Sequence, residues 1–190
     1  MFKKIILAAL VVTSAVFAQV HVGARAAFNF GTVWGDHTDD SNWGAGFNLG
    51  ALAKINVTPT IDFVPGIEVD LRRMATEDFG VEYSYSFWYI DLPLLARIGV
   101  NPQFFVDAGL NFGINVAASA KQKAGGHEES IDIENMNTID LGLIIGAGYT
   151  VIPNLDINVR INVGLTNMID ASEVSSKNLR LQAGVSYWFM

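Results

Sequence analysis

The fold of this chain is decided by the stretch Leu155-Asp156-Ile157-Asn158-Val159-Arg160-Ile161-Asn162-Val163-Gly164-Leu165-Thr166. Its odd-numbered residues are all Leu, Ile or Val, and its even-numbered residues are all polar or glycine. Because side chains of a β-strand point alternately to its two faces, the pattern predicts a strand with one apolar and one polar face. Alternation of this length arises by chance about once in 4,000 such stretches.

The same two-residue period returns in seven further runs along the chain. These runs are residues 20–30, 45–57, 61–74, 85–100, 104–118, 138–151 and 178–189. No run has helical spacing, and most exceed the roughly 5–6 residues that are usual for strands of soluble sheets. The sequence therefore predicts an all-β fold of eight strands. Each strand is long enough to cross a membrane, which takes about 9–11 residues.

Short and long connections alternate between the predicted strands. Tight turns are predicted at residues 58–60, 101–103 and 152–154, each with a central proline. The longer polar stretches are residues 31–44, 75–83, 122–137 and 167–177. Short turns at one end and long loops at the other are typical of an antiparallel up-and-down transmembrane β-barrel of the outer membrane. The even number of strands places both termini at the short-turn, periplasmic end.

Composition indicates which face of the strands points outward. The chain has 190 residues, of which 51% are apolar, and it contains no cysteine. This excludes disulfides and Cys-ligated metal, and the excess of 19 acidic over 12 basic residues argues against nucleic acid as a partner. An eight-stranded barrel has an interior just wide enough for side chains. Since glycine is common on the polar face and bulky residues dominate the apolar face, we expect the apolar face to contact lipid.

Charged side chains on the polar face are predicted to point into the barrel. They are Arg25, Lys54, Asp62, Glu68, Asp70, Arg72, Asp91, Arg97, Asp107, Asp140, Asp156, Arg160 and Arg180. The apolar face of the strands carries only Arg73, at the loop end of its strand, where a charge costs little. We expect the interior charges to form a structural plug of salt bridges, because eight strands leave no open bore. A polar conduit is the alternative.

Two pairs of these charges are expected to meet across hairpins. Arg97 and Asp107 lie symmetrically about one proline turn, and Lys54 and Asp62 lie on either side of another. Residues opposite each other on antiparallel strands have adjacent side chains, so each pair can form an ion pair.

Aromatic residues mark the ends of the strands and are expected to form two interfacial girdles. They are Phe28, Phe30, Phe47, Trp88, Phe104, Tyr149, Tyr187 and Phe189. Tyr187 and Phe189 also end the last strand and form a possible signal for the barrel-assembly machinery. Met190 follows the position at which a terminal aromatic residue is expected.

The N-terminus is organised as a signal peptide. Lys3 and Lys4 precede an apolar stretch over residues 5–17, and the sequence Val16-Phe17-Ala18 provides a cleavage site. The apolar run is shorter than the roughly 20 residues of a spanning helix. We predict a cleaved signal peptide over residues 1–18 and a barrel domain over residues 19–190. A buried N-terminal strand or helix is the alternative.

Several segments match a known pattern. Residues 89–97 read Tyr-Ile-Asp-Leu-Pro-Leu-Leu-Ala-Arg, and further matches are residues 22–30, 106–113, 146–149 and 162–167. Together they resemble the PorT-like outer-membrane β-barrel family, whose corresponding segment is Tyr-(Ile/Leu)-(Glu/Asp)-(Ile/Leu)-Pro-Leu-Leu. The resemblance implies an eight-stranded barrel of the OmpA/OmpX type. The family's namesake is associated with secretion and gliding machinery.

The predicted loops carry twelve further carboxylates. They are Asp36, Asp39, Asp40, Glu77, Asp78, Glu82, Glu128, Glu129, Asp132, Glu134, Asp170 and Glu173. Such clusters could bind Ca²⁺ or Mg²⁺ that bridges to anionic lipid, but the EF-hand pattern starting at Asp36 fails at Ser41 and Phe47. We expect solvated loops and no metal site.

Catalysis has little support in the sequence. His37 with Asp36, or His127 with Glu128, could supply a base and an orienting carboxylate, but no nucleophile motif accompanies them. We expect no enzyme activity and no cofactor.

The predicted function is a structural, adhesive or loop-mediated binding role in the outer membrane. The alternatives are an accessory component of a secretion or gliding apparatus and a narrow pore. Expected partners are outer-membrane lipid, the barrel-assembly machinery during biogenesis, and an envelope protein or surface ligand bound by the loops.

Overall fold

Nine antiparallel strands account for most of the structure. The computed structural model describes residues 20–35, 42–78, 81–124, 127–132, 137–167 and 176–189. The strands are β1 (Val20–Gly35), β2 (Asn42–Thr58), β3 (Ile61–Asp78), β4 (Val81–Gly99), β5 (Phe104–Ala124), β6 (His127–Asp132), β7 (Ile139–Ile152), β8 (Leu155–Gly164) and β9 (Ser176–Phe189). No helix long and apolar enough to cross a membrane occurs in these ranges. The predicted signal peptide lies outside them.

Eight of the nine strands close into a barrel. The strands are hydrogen-bonded in the order β4-β3-β2-β1-β9-β8-β7-β5, and pairing of β4 with β5 closes the ring. Among the described residues, β6 pairs only with β5, at positions 119–124. The prediction of an eight-stranded antiparallel barrel is confirmed.

The short strand β6 lies within residues 122–137, which the sequence pattern predicted to be a loop. The end of β5 and all of β6 form a hairpin there, with Ala124 paired to His127. Ile131 is the only apolar residue of β6. The alternation that identifies the other strands is therefore missing.

The pairing register sets the tilt of the strands. A path that starts at Val20 and follows directly paired residues once around the barrel returns to β1 at Phe30, ten residues further along. Its intermediate residues are Ile55, Phe63, Ala96, Ala108, Ile145, Ile161 and Leu181. Eight strands with this stagger tilt by about 43° from the barrel axis and enclose a radius of about 8 Å at the Cα atoms.

The two faces of the strands are oriented as predicted. Phe28 is 73% exposed and Val159 is 50% exposed, whereas Arg72 and Asp70 have no exposed surface. All eight aromatic residues that were predicted to form girdles point outward. The bulky apolar side chains thus cover the outside of the barrel.

Interior glycines leave space for the charged side chains. A Cβ atom at Gly113 would lie 2.7 Å from Oδ1 of Asp91 and 3.3 Å from a guanidinium nitrogen of Arg72. This contact agrees with the predicted small inward set, but the division is incomplete, because the inward face also carries a buried apolar cluster of Leu52, Val64, Leu95, Ile144 and Trp188.

The tight turns connect the strands at one end of the barrel. Oγ1 of Thr58 accepts hydrogen bonds from the backbone N–H groups of Thr60 and Ile61, at 3.3 and 3.0 Å. Oδ1 of Asn101 does the same for Gln103 and Phe104, at 2.9 and 2.7 Å. These side chains satisfy backbone donors that the turns would otherwise leave unpaired.

Candidate functional site: the charged lumen and its two ends

A buried cluster of charges lies nearest the loop end of the barrel, with Arg72 at its centre. The guanidinium of Arg72 donates to Asp70 at 2.9 Å, to Asp91 at 2.7 Å and to Asp140 at 2.5 Å. It also lies 3.6 Å from the ring centroid of Tyr89. One side chain therefore links strands β3, β4 and β7 through the interior.

Arg180 is the second cation of this cluster. It donates to Asp91 at 3.1 Å and forms a short ion pair with Asp70. The amide of Asn29 donates to Asp70 at 2.6 Å. The loop-end cluster, defined as Arg72, Arg180, Asp70, Asp91 and Asp140, has two positive and three negative groups.

A second set of charges fills the middle of the lumen. Arg25 donates to Asn48 at 2.9 Å and to Glu68 at 3.4 Å, and Asn48 donates to the same carboxylate at 2.7 Å. Arg160 lies 3.6 Å from Glu68 and 3.2 Å from Asp107. Further acceptors for Arg25 are the side-chain oxygens of Asn158 and Gln182. Charged and neutral groups together form a continuous network.

The third cluster lies at the turn end. Arg97 donates to Asp107 at 2.9 Å and to Asp156 at 2.7 Å, and its guanidinium stacks 3.6 Å from the ring centroid of Phe105. The indole N–H of Trp188 donates to Asp156 at 2.8 Å. The predicted cross-hairpin pair of Arg97 and Asp107 is confirmed.

The second predicted pair, Lys54 with Asp62, does not form in the structure. Asp62 instead accepts a hydrogen bond from Asn56 at 2.6 Å, because the register of this hairpin places these two residues opposite each other. The ammonium of Lys54 lies 4.8 Å from the centroid of the Trp188 ring. Eleven of the thirteen predicted interior charges are buried, and Lys54 and Asp62 are partly exposed near the turns.

Sequence reasoning missed the neutral members of the network. Asn29, Asn48, Asn158, Gln182 and Trp188 each hydrogen-bond to a charged group. All five follow the inward parity of their strands, so parity identifies them as interior residues. No local pattern identifies their partners, which lie on distant strands.

The two ends of the lumen differ. At the loop end, the buried side chains of Met74, Phe87 and Tyr89 form an apolar layer above the loop-end cluster. At the turn end there is a cavity of about 500 Å³, lined by residues that include Lys54 and Arg97. The lumen is therefore closed by apolar side chains towards the loops and open to solvent at the turns.

The described residues contain no group of three or more His, Cys, Asp or Glu side chains arranged to hold a metal ion. The candidate catalytic pair, His37 and Asp36, lies outside the described residues. The same holds for six of the loop carboxylates, Asp36, Asp39, Asp40, Glu134, Asp170 and Glu173.

Residues 17–170 match the family described as outer membrane protein beta-barrel domain. The chain belongs to this family. The exposed apolar band is thus the surface that contacts lipid, and the protein is an integral barrel of the cell outer membrane. In barrels of this kind the short turns face the periplasm and the long connections face the outside.

Solved outer-membrane barrels share this fold. Neisserial surface protein A has a TM-score of 0.58 at 16% identity, covering 88% of this chain and 97% of that one. Ail, the attachment invasion locus protein of Yersinia pestis, has a TM-score of 0.56 at 15% identity, covering 90% and 99%. A major outer membrane protein of Thermus thermophilus has 0.54 at 14% identity, covering 87% and 99%. No curated protein matches the sequence significantly.

Proposed function

We propose that this protein is a non-catalytic surface barrel whose extracellular connections bind a partner. The observation that carries the proposal is the length of three neighbouring strands. Strands β3, β4 and β5 have 18, 19 and 21 residues, whereas about 9–11 suffice to cross the membrane. The excess lies on the extracellular side and, with β6, forms a sheet that projects from the barrel.

The filled lumen favours this function over transport. Arg72 and Arg180 connect carboxylates on facing walls, and Met74 and Phe87 cover the extracellular side. An ion crossing the barrel would have to displace buried ion pairs, whose removal leaves uncompensated charge. The barrel acts as a rigid anchor for its extracellular sheet.

Charge indicates the class of partner. The four long connections carry twelve carboxylates and two lysines. Ail has been crystallised with the heparin analogue sucrose octasulfate, a polyanion. The acidic connections here repel such a ligand and favour a partner with a basic surface.

The experiment measures retention of proteoliposomes on surfaces coated with polylysine or with heparin. We expect the protein to be retained on polylysine and not on heparin. Shortening residues 122–137 to a tight turn should reduce retention several-fold, and Glu128→Gln with Glu129→Gln should reduce it at native hairpin length. Heat-modifiable gel mobility checks that each variant is folded. Equal retention of all variants, or preference for heparin, contradicts the proposal.

A second candidate is an accessory role in a secretion apparatus, as the PorT-like resemblance of residues 89–97 suggests. The periplasmic cavity of about 500 Å³ favours it, because it offers a concave surface to a periplasmic partner. Crosslinking from a photoreactive residue at Gln103, on the rim of this cavity, should then capture an envelope protein in intact cells. Normal protein export in a deletion strain would rule this role out.

A further inference from the structure

Arg73 is a charged residue on the lipid-facing side of the barrel. It lies in β3, points outward, is exposed, and forms no ion pair with any described residue. The other outward cation near this level, Lys177, lies 5.3 Å from the ring centroid of Trp34. An arginine in contact with a membrane is costly unless its charge is paired or lies at the interface.

Two tryptophans place Arg73 at the extracellular membrane interface. Trp43 on β2 and Trp88 on β4 flank it on the neighbouring strands and are exposed. With the stagger of ten residues, the three Cα atoms lie within about 4 Å of one height along the membrane normal. Tryptophan concentrates at the level of the lipid headgroups, so Arg73 is held at that level.

An apolar groove lies on the lipid-facing surface below Arg73. Its volume is about 510 Å³, and Phe28, Phe47, Ala26, Ala183 and Val185 are among the residues that line it. Phe28, 73% exposed, lines the groove and is the most exposed large apolar residue in the described part of the chain. Phe47 lies opposite Phe28 on β2, also lines the groove, and is held by an edge-to-face contact with Trp88 at 5.8 Å between centroids.

The groove and Arg73 are aligned along the membrane normal. For strands that tilt by about 43°, these lining residues lie about 8–20 Å nearer the periplasm than Arg73 and within about 5 Å of the vertical line through it. This depth falls within the apolar band, about 25 Å tall, of outer-membrane barrels. A cation at headgroup level therefore stands above a groove at acyl-chain level.

We propose that Arg73 and this groove bind a phosphorylated glycolipid of the outer leaflet. The guanidinium of Arg73 donates paired hydrogen bonds to a phosphate, Trp43 and Trp88 flank the headgroup, and one acyl chain lies in the groove beside Phe28 and Phe47. The planar fork of arginine matches phosphate geometry and neutralises a charge that has no described protein partner. The site faces the outer leaflet, which in such membranes consists of phosphorylated glycolipid. It is independent of the extracellular sheet and its partner.

The test uses delipidated barrel in detergent and native mass spectrometry. The probes are bis-phosphorylated hexa-acyl lipid A, its dephosphorylated form, and phosphatidylglycerol. We expect phosphorylated lipid A to bind most tightly, and Arg73→Gln to weaken it about tenfold, as loss of a charge-assisted bidentate contact does. Lys177→Gln is the matched control at the same level and should change affinity less than about twofold, because its ammonium already lies on Trp34.

The groove has its own pair of variants. Ala183→Leu fills the groove and should weaken binding of both lipid A forms equally, whereas Ala108→Leu, an outward alanine on the far side of the barrel, should leave binding unchanged. Equal binding of phosphorylated and dephosphorylated lipid A overturns the proposal, as does wild-type affinity in Arg73→Gln. Tighter binding of phosphatidylglycerol than of lipid A overturns the assignment to a glycolipid.

Discussion

Arg72 and Asp140 meet at 2.5 Å across the lumen, although they are separated by 68 residues in the chain. Their strands, β3 and β7, are not neighbours, because β4 and β5 lie between them in the barrel. The contact therefore crosses the interior instead of following the wall. The ion pair of Arg180 and Asp70 likewise joins two strands that are not neighbours, so the charged side chains connect distant parts of the wall through the interior.

Removing the side chain of Arg72 should destabilise the barrel strongly. Arg72→Ala leaves three buried carboxylates without their common partner and should lower the free energy of unfolding by about 3–5 kcal/mol. Arg73→Ala, at the next position but pointing outward, should change it by less than about 0.5 kcal/mol in detergent free of glycolipid. Urea unfolding followed by tryptophan fluorescence measures both. Similar losses in the two variants would contradict the assignment of Arg72 as the centre of the network.

The orientation of the strands can be tested on adjacent residues of β8. Val159 is half exposed to lipid, so Val159→Arg should cost about 2–4 kcal/mol. Asn158 points inward and accepts hydrogen bonds from Arg25, so Asn158→Ser should cost about 1 kcal/mol. Refolding into lipid vesicles at graded urea concentrations gives both values. A larger loss of stability for Asn158→Ser than for Val159→Arg would contradict the assignment of the inner and outer faces.

Glycine is required on the inner face of the barrel where charged side chains pack closely against the strand backbone. Gly113→Ala places a Cβ atom 2.7 Å from a carboxylate oxygen of Asp91 and should destabilise the barrel by about 1–3 kcal/mol. Gly99→Ala is the control, because the nearest heavy atom to its Cβ lies at 3.7 Å. The midpoint of thermal unfolding should fall for the first variant only. A fall of equal size for Gly99→Ala would remove the steric explanation.

The barrel should not conduct ions. Wild-type protein in a planar bilayer is expected to give no discrete current steps, because Arg72, Asp91 and Asp140 block the lumen below the apolar layer. Arg72→Ser combined with Asp91→Ser and Asp140→Ser should also give no current steps, because Arg25, Glu68 and Arg160 still fill the middle of the lumen. Steady single-channel currents from the wild-type barrel would support a pore.

Tyr187 and Phe189 should matter for assembly more than for stability. Both point into lipid at the end of β9 and contact each other edge to face at 5.4 Å. Replacing both by alanine should reduce the amount of folded protein in the outer membrane several-fold, while Val185→Ala on the same strand has little effect. Urea unfolding of the refolded variant separates the two causes. A large loss of stability, with normal assembly of what folds, would assign the two residues to packing instead.

The orientation of each side chain could be predicted from the sequence because the period of a strand is local. Parity placed Arg25 and Arg180 on the face opposite to that of Phe28, and the structure agrees. The limited interior of eight strands then decided which face was outside. The turns could be predicted from their prolines and short length, since their hydrogen bonds join residues only two or three positions apart.

Contacts between distant strands were decided by the tertiary structure alone. Lys54 and Asp62 lie on adjacent strands on either side of a turn. The register of the hairpin nevertheless places Asp62 opposite Asn56, which donates a hydrogen bond to it. The sequence shows Arg73 only as a charge on the apolar face of its strand, and closure of the barrel places the groove lined by Phe28 and Phe47 beneath it. Alternation determines a direction for each side chain. The partner in that direction depends on the ten-residue stagger with which the ring closes, which is a property of all eight strands together.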